Sequence, residues 1–319
     1  MYLQIGTLLF EIQSNMKECE LFFNQPKFKP FHISRPIKGR RVYQFIVNED
    51  ATRQKQSNNV LSTTYNKASE AIKSVCQDQY ILNELFDLVN PNTSVNLLEE
   101  TDSKSSKCYI NDNGTLLYIY PGALSVFQFD KSKAILYWKK RHLRNIDAFN
   151  RAFYDFFTGC MIHNNEQKRL FFHSAGTVIN DKAYLLCGRS GGGKTTISNI
   201  IGHNRILSDE RVLVEWHNDK PFLTGTPWNG RENVIIPKKE MYPLERVLLL
   251  KKSKKIYLAP ASLREQAELL YPCLTNYGYI KKHGAKQQFL LLQQLKKQTK
   301  INLLGFNLNT TLKDLNILL

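Results

Sequence analysis

Long hydrophobic segments are missing from this sequence of 319 residues. No stretch approaches the roughly 18 apolar residues that a membrane-spanning helix needs. The first residues also lack the basic start and uninterrupted apolar segment of a secretory signal, because Glu11, Asn15 and Lys17 intrude early. We therefore expect no signal peptide, no membrane span and a soluble, cytoplasmic protein.

Closely spaced cysteines are missing as well. The six cysteines are widely scattered and form no CxxC pair: Cys19, Cys76, Cys108, Cys160, Cys187 and Cys273. Zinc sites and the disulfide frameworks of small secreted domains use clustered cysteines. The spacing therefore argues against both and favours reduced thiols in a cytosolic protein.

A continuous basic tract is absent, although the chain is strongly basic. It has 44 Lys and Arg against 28 Asp and Glu, a formal net charge of +16. This balance suits polyanionic partners such as nucleotides, nucleic acid, acidic peptides or anionic lipid. A simpler interpretation is that lysines cover the solvated faces of the fold. Nucleic-acid binding is not favoured, because no basic motif with interleaved aromatic residues is present.

The first part of the chain predicts a smaller β-rich domain. Alternating and β-branched segments predict strands at residues 43–47, 116–120, 124–129 and 134–138. The polar stretches 52–64 and 90–107 predict loops, and Ala68, Ile72 and Val75 suggest a short amphipathic helix between them. This part has no internal repeat and no catalytic signature, so its role stays open.

An amphipathic helix follows. One apolar stripe at i, i+3, i+4, i+7 and i+8 contains Phe149, Ala152, Phe153, Phe156 and Phe157. Gly159 is the candidate C-cap of this helix. We place the domain transition here and predict domains at residues 1–150 and 151–319.

The second domain predicts strands mixed with helices, which indicates an α/β fold with a mixed sheet. Strands 176–179 and 183–187 form a hairpin around Asn180-Asp181-Lys182. Further strands are predicted at 206–207, 212–216, 222–224, 246–250, 256–259 and 301–308. Helix 195–201 is closed by Gly202, and a capping box from Ser262 to Glu265 opens another helix.

One phosphate-binding loop lies between the hairpin and the first of these helices. Residues 188–195 satisfy G-x-x-x-x-G-K-[ST] and read Gly188, Arg189, Ser190, Gly191, Gly192, Gly193, Lys194 and Thr195. Glycines allow backbone N–H groups to converge on phosphate oxygens, and the helix that follows directs its positive end at the same anion. Lys194 can neutralise the β- and γ-phosphates, and the Thr195 hydroxyl can bind Mg²⁺. We predict binding of ATP or GTP with Mg²⁺.

Two adjacent acids and a histidine are the other candidates. Asp209 and Glu210 end a strand fourteen residues after Thr195, where α/β sheets place their ligands. One carboxylate could then face Mg²⁺ and the other an acceptor hydroxyl. His173 precedes the hairpin, and a lone histidine is more often structural. The turn at residues 224–230 either buries Trp228 or borders the phosphates.

Together, His173-Ser174-Ala175-Gly176, residues 188–196, residues 207–212 and residues 225–230 resemble the C-terminal domain of HPr kinase/phosphorylase. They are still more similar to HPr-kinase-related proteins found beside peptide-modifying genes, and that domain is similar to ATP-dependent phosphoenolpyruvate carboxykinase. The motifs cover about 60 residues, with a weaker similarity of layout over residues 170–319. An antiparallel lead-in to the loop agrees with this group, since most other phosphate-loop proteins use a parallel βαβ unit.

The resemblance implies roles at matching positions. Residues 188–196, including Thr196, would hold the phosphates, Thr195 and Asp209 would hold Mg²⁺, and Glu210 would act as base with His173 nearby. Glu210 departs from the family, which usually has Asp there, so Asp209 is the alternative base. The acceptor-binding signature of true HPr kinases is missing, which argues against HPr as the substrate.

The sequence thus predicts an ATP-dependent kinase that phosphorylates a hydroxyl of a peptide, protein or small molecule, with Ser as one acceptor. The alternative is a non-catalytic nucleotide-binding partner protein in a biosynthetic or regulatory complex. The resemblance also allows a homo-oligomer, since related kinases often form rings.

Overall fold

The computed structural model describes residues 1–14, 16–49, 95–100, 107–111, 116–120, 123–138, 146–163, 168–230, 237–275 and 284–319. The chain divides into two compact units. Unit 1 comprises Met1–Leu3, Leu9–Asn24 and Ser34–His163, and unit 2 comprises Gln4–Leu8, Gln25–Ile33 and Asn164–Leu319. The fold is of the α/β class with mixed sheets. No helix in the described ranges is both long enough and apolar enough to cross a membrane.

The first sheet contains nine of the described strands in the order β3-β1-β2-β4-β9-β8-β7-β6-β5. Their bounds are β1 Tyr2–Ile5, β2 Leu8–Ser14, β3 His32–Ile33, β4 Val42–Glu49, β5 Val95–Glu100, β6 Lys107–Asn111, β7 Leu116–Tyr120, β8 Ala123–Gln128 and β9 Lys133–Trp138. Strand β4 runs parallel to β2 and β9, whereas β5 to β9 form an antiparallel meander.

The four strands predicted in this part of the chain are confirmed. The loop predicted over residues 90–107 is wrong in part, because β5 lies within it. Its backbone pairs with β6, with Val95 opposite Asn111 and Glu100 opposite Lys107. The segment therefore forms a strand through pairing with its neighbour, although its composition is polar. The predicted loop at 52–64 and the helix around Ile72 lie outside the described residues.

Within the described part of unit 1 lie the helices α1 Lys17–Phe23 and α2 Ile146–His163. The predicted apolar stripe of α2 is confirmed, since its members are fully buried. Phe153 makes edge-to-face contacts with Phe10 and Phe23, each at 5.2 Å between ring centroids. Such aromatic pairs add to the stabilisation that burial of the rings provides.

The predicted C-cap at Gly159 is wrong, because α2 continues to His163. A Cβ at position 159 would lie 1.9 Å from Cζ of Phe129. Glycine is therefore required for close approach of the helix to this ring. The domain boundary predicted at residue 150 falls within α2, and all of this helix belongs to unit 1.

The second sheet belongs to unit 2 and has the order β10-β14-β15-β16-β12-β11-β13, with β18 paired to both β16 and β17. Its strands are β10 Arg169–Phe172, β11 Ala175–Ile179, β12 Lys182–Cys187, β13 Ile206–Ser208, β14 Val212–His217, β15 Lys220–Gly225, β16 Met241–Lys252, β17 Tyr257–Pro260 and β18 Lys300–Phe306. The α-helices among the described residues of this unit are α3 Lys194–Ile201, α4 Leu263–Leu269, α5 Ala285–Gln298 and α6 Leu312–Leu318. The elements predicted for this part of the chain are confirmed, including the two hairpins and the Ser262 capping box.

Helices cover both faces of the second sheet. Alternate residues of β12 point to opposite faces: Leu185 and Cys187 join one apolar cluster, and Tyr184 and Leu186 join another. Helix α5 contributes to the first cluster, and α3 and α6 contribute to the second. The central strands are therefore buried on both sides, which fixes the position of the loop that follows β12.

A buried ion pair lies within unit 2. Arg169 Nε donates to Glu215 Oε1 at 2.8 Å, and both side chains are almost fully buried. The backbone N–H of Thr7 donates to the same carboxylate at 3.0 and 3.1 Å. A Cβ at Gly6, where φ is 58°, would lie 2.2 Å from Glu215 Oε2. These donors compensate for the removal of the carboxylate from water.

Candidate functional site

The sheet topology brings four chain segments to one edge. Strands β12 and β13 are each antiparallel to β11, which lies between them, so they run in the same direction. Strand β16 is parallel to β12. The carboxyl ends of these three strands therefore meet at the edge where β11 begins. Gly188, Asp209 and Lys252 follow or end the three strands there, and His173 lies just before β11.

A cleft of about 640 Å³ opens at this edge. Every residue proposed from the sequence for the site lines it: His173, Gly188, Arg189, Ser190, Gly191, Gly192, Gly193, Lys194, Thr195, Thr196, Asp209 and Glu210. Gly230, Lys252, Pro272 and Cys273 also line it. The loop, the acid pair and the histidine are thus brought together by tertiary structure.

The loop at residues 188–193 has a backbone that requires glycine at two positions. Gly191 has φ 71° and Gly193 has φ 102°, values that side chains with a Cβ disfavour. At Gly192 the limit is steric instead, since a Cβ would lie 2.8 Å from the carbonyl oxygen of Arg189. The Gly192 N–H donates to that carbonyl at 2.9 Å. Gly193 is also the N-cap of α3.

Lys194 lies across the loop. Its Nζ donates to the carbonyl oxygens of Gly188 at 2.8 Å and Arg189 at 3.3 Å. The ammonium group is therefore held against the loop backbone, and its charge lies in the cleft that the loop surrounds. An anion in this cleft would receive a charge-assisted hydrogen bond from Lys194.

Asp209 is held in place by hydrogen bonds with the turn at residues 224–230. The Gly230 N–H donates to Asp209 Oδ1 at 2.9 Å, and the Asp209 N–H donates to Asn229 Oδ1 at 3.1 Å. The buried Ser208 hydroxyl donates to the Trp228 carbonyl at 3.3 Å. The first interpretation of the 224–230 turn is confirmed, since Trp228 is buried; Gly230 lines the cleft, and the position of the turn beside phosphates stays a prediction.

Glu210 extends toward His173 and Arg211. Its Oε1 lies 3.8 Å from His173 Nε2 and 3.8 Å from Arg211 Nη1. Burial lowers the pKa of His173 to about 4, and the charges of Arg211 and Lys194 act in the same direction. The imidazole is therefore neutral at pH 7, and its contact with Glu210 is not an ion pair. Glycine at 230 leaves room for this acid, since a Cβ there would lie 2.8 Å from Glu210 Oε2.

Four of the lining residues were not predicted from the sequence as site residues. Lys252 ends β16, and only the parallel pairing of β16 with β12 reveals that it reaches the cleft. Pro272 and Cys273 belong to a 3₁₀ turn, Tyr271–Cys273, with no motif of its own. The turn signal at Gly230 was the one sequence feature that pointed to any of these four.

The donors in the cleft fit a magnesium-bound polyphosphate. A glycine-rich loop backbone, the N-terminus of α3 and the Lys194 ammonium match phosphate oxygens. Within the described ranges, no group of three or more His, Cys, Asp or Glu side chains is arranged to hold a metal ion. Mg²⁺ in nucleotide sites uses one or two protein ligands with phosphate oxygens and water, so Thr195 and Asp209 suffice as candidates.

No protein-family model matches the chain, and no curated protein matches it in sequence.

Proposed function

We propose that the protein is an ATP-dependent kinase of the HPr-kinase-like type, which transfers the γ-phosphoryl group to a hydroxyl. The observation that carries this proposal is the meeting of the phosphate-binding loop and the Asp209–Glu210 pair in one cleft. A loop alone indicates nucleotide binding. The nearby acids and the antiparallel hairpin that leads into the loop favour phosphoryl transfer of this particular type.

The residues have distinct roles in this proposal. The loop amides and Lys194 hold the phosphates of ATP or GTP, and Thr195 and Asp209 hold Mg²⁺. Bound Mg²⁺ would neutralise negative charge on the phosphates. Glu210 accepts the proton of the acceptor hydroxyl, which is Ser of a peptide or protein or the hydroxyl of a small molecule.

The contacts of the two acids favour Glu210 over Asp209 as the base. Asp209 accepts a backbone hydrogen bond from Gly230, which fixes its carboxylate beside the loop. The Glu210 side chain is 38% exposed and has a neutral imidazole within 3.8 Å. A fixed carboxylate suits a metal ligand, and an exposed one can reach an acceptor that enters from solvent.

The decisive experiment compares Lys194→Ala with Lys182→Ala. Lys182 begins the strand whose other end carries the loop, and it pairs with Glu245 at 3.3 Å. Losing a charge-assisted hydrogen bond weakens ATP binding by about 10- to 100-fold, so Lys194→Ala should lose binding and Lys182→Ala should keep it. Isothermal titration with Mg²⁺-ATP and Mg²⁺-GTP measures the affinity and the nucleotide preference.

Kinase activity itself is tested by Mg²⁺-dependent ADP production with a panel of Ser peptides and small hydroxyl compounds. Turnover that requires an acceptor and is lost in Glu210→Gln supports the kinase. If ATP binds but no acceptor in the panel releases ADP, the non-catalytic alternative is favoured. The glutamate at 210 is the observation behind this alternative, and a Glu210→Asp variant that gains no turnover would support it.

A further inference from the structure

Two cysteines lie directly beneath the phosphate-binding loop. Cys187 ends β12, and the next residue, Gly188, begins the loop. Cys273 lies on the cleft wall. Both residues belong to one buried cluster; the Ser174 hydroxyl donates to Cys187 Sγ at 3.4 Å, and the N–H of the preceding residue, His173, donates to the Cys273 carbonyl at 2.7 Å. Residues that are 86 positions apart in sequence are thus adjacent here.

The first carbonyl of the loop contacts both Cys273 and Lys194. Cys273 Sγ lies 3.7 Å from the carbonyl oxygen of Gly188, which also accepts the hydrogen bond from Lys194 Nζ at 2.8 Å. Cys273 also donates to the carbonyl of Leu269 at 3.2 Å. A change in the bonding of these sulfurs would therefore act directly on the base of the loop.

The two sulfurs differ in access. Cys187 is fully buried, whereas Cys273 is 4% exposed and borders the cleft. The neighbouring Cys187 thiol lowers the pKa of the Cys273 thiol, and the Lys194 charge contributes in the same direction. Burial raises the pKa of Cys187. Thiolate character and access both favour Cys273 as the sulfur that reacts first.

We propose that Cys187 and Cys273 form a redox-active dithiol, which a peroxide converts into a disulfide that impairs phosphate binding by the adjoining loop. The second half of this statement rests on the nucleotide binding proposed above. The first half stands on the shared burial of the two cysteines and on their contacts with Ser174 and Gly188.

The reaction balances with hydrogen peroxide as the oxidant. The Cys273 thiolate attacks one peroxide oxygen, so an S–O bond forms, the O–O bond breaks and hydroxide leaves to become water. The Cys187 sulfur then attacks the sulfenic acid, so the S–S bond forms and the S–O bond breaks. The oxygen leaves as water with the Cys187 proton. The sulfurs lose two electrons, and the peroxide gains them.

Disulfide formation would displace the base of the loop. The two sulfurs are free thiols in the structure, and a disulfide would bring them to about 2.05 Å from each other. Cys273 then withdraws from the Gly188 carbonyl, and the end of β12 becomes tied to the 3₁₀ turn. Because the loop amides act through their positions, this shift should weaken phosphate binding.

The first test treats the full-length protein with hydrogen peroxide and maps disulfides by tryptic mass spectrometry. The expected product links residues 183–189 to residues 265–281, and dithiothreitol reverses it. Cys19→Ala is the matched control, since Cys19 is also buried but burial raises its pKa to about 12. This variant should form the same product, and Cys273→Ser should not. A linkage elsewhere, or unchanged thiols at both positions, would overturn the proposal.

The second test measures Mg²⁺-ATP binding before and after oxidation. We expect the oxidised protein to bind at least about tenfold more weakly, with recovery on reduction. By linkage, ATP must then disfavour the disulfide by the same factor. Equal binding by both forms would refute the effect on the loop. If the reduced protein binds no nucleotide while the disulfide still forms, the proposed function fails and the redox-active dithiol stands.

Discussion

A Gly193→Ala substitution should destabilise unit 2, whereas Gly188→Ala should not, although both positions are glycines of the same loop. At Gly193 φ is 102°, and a Cβ would lie 2.1 Å from Cζ of Phe306. At Gly188 φ lies outside the left-handed region, and the nearest atom to a Cβ is Cβ of Leu250 at 3.5 Å. The two positions therefore differ in backbone strain and in the room available for an added Cβ atom.

The expected size follows from these two contributions. A left-handed conformation costs alanine about 1–2 kcal/mol, and overpacking against a buried ring costs about 1–3 kcal/mol. Together they lower the free energy of unfolding by about 2–5 kcal/mol at Gly193. At Gly188 the contact is ordinary van der Waals packing, so we expect a change within about 1 kcal/mol in either direction.

Urea unfolding of unit 2 measures this difference. The chain has three tryptophans, and Trp216 and Trp228 lie in unit 2, so a Trp138→Phe background makes fluorescence report on that unit. A Gly193→Ala/Phe306→Ala double variant should lose less than the sum of the single losses, since the ring clash is gone. Equal stability of Gly188→Ala and Gly193→Ala would refute the reasoning.

Three further predictions follow from contacts described above. Gly159→Ala should lower the free energy of unfolding of unit 1 by about 1–3 kcal/mol, because the added methyl group clashes with Phe129. An unchanged melting temperature would contradict this packing. Arg169→Leu should lower the free energy of unfolding by about 3–5 kcal/mol, because it leaves the Glu215 carboxylate buried without its cation. In urea unfolding, the double variant Arg169→Leu/Glu215→Leu should lose less stability than this single variant. The pKa of His173 falls to about 4 on folding, so between pH 6.5 and pH 4 the unfolded chain binds one more proton than the folded chain. The free energy of unfolding should therefore decrease as the pH is lowered from 6.5 to 4. His173→Gln should make this decrease smaller in unfolding measured at several pH values.

Local patterns predicted most of the regular structure correctly. The hairpin into the loop, the helix closed by Gly202 and the capping box at Ser262 depend on residues close in sequence, so their signals are readable there. Gly159 shows the limit of such signals. A glycine near the end of an apolar stripe has the pattern of a C-cap, but only the approach of Phe129 from another element explains its place inside the helix.

The acid pair shows the same limit within the site. A strand end followed by Asp209 and Glu210 made both residues candidates, but their sequence does not separate their roles. The hydrogen bond from Gly230 to Asp209 and the neighbours of Glu210 distinguish them, and these contacts come from turns and strands further along the chain.

The sequence by itself made residues 188–195 a candidate phosphate-binding loop, because eight consecutive residues contain both the backbone freedom and the charged groups that such a loop needs. It also determined the α/β class, since apolar periodicity is a local property. Only the tertiary structure decided which distant residues share the cleft. Lys252 reaches it through parallel pairing of β16 with β12, and Cys273 contacts the carbonyl of Gly188, the residue after Cys187. The physical reason is that strand order and direction set these neighbours, and no spacing along the chain encodes them.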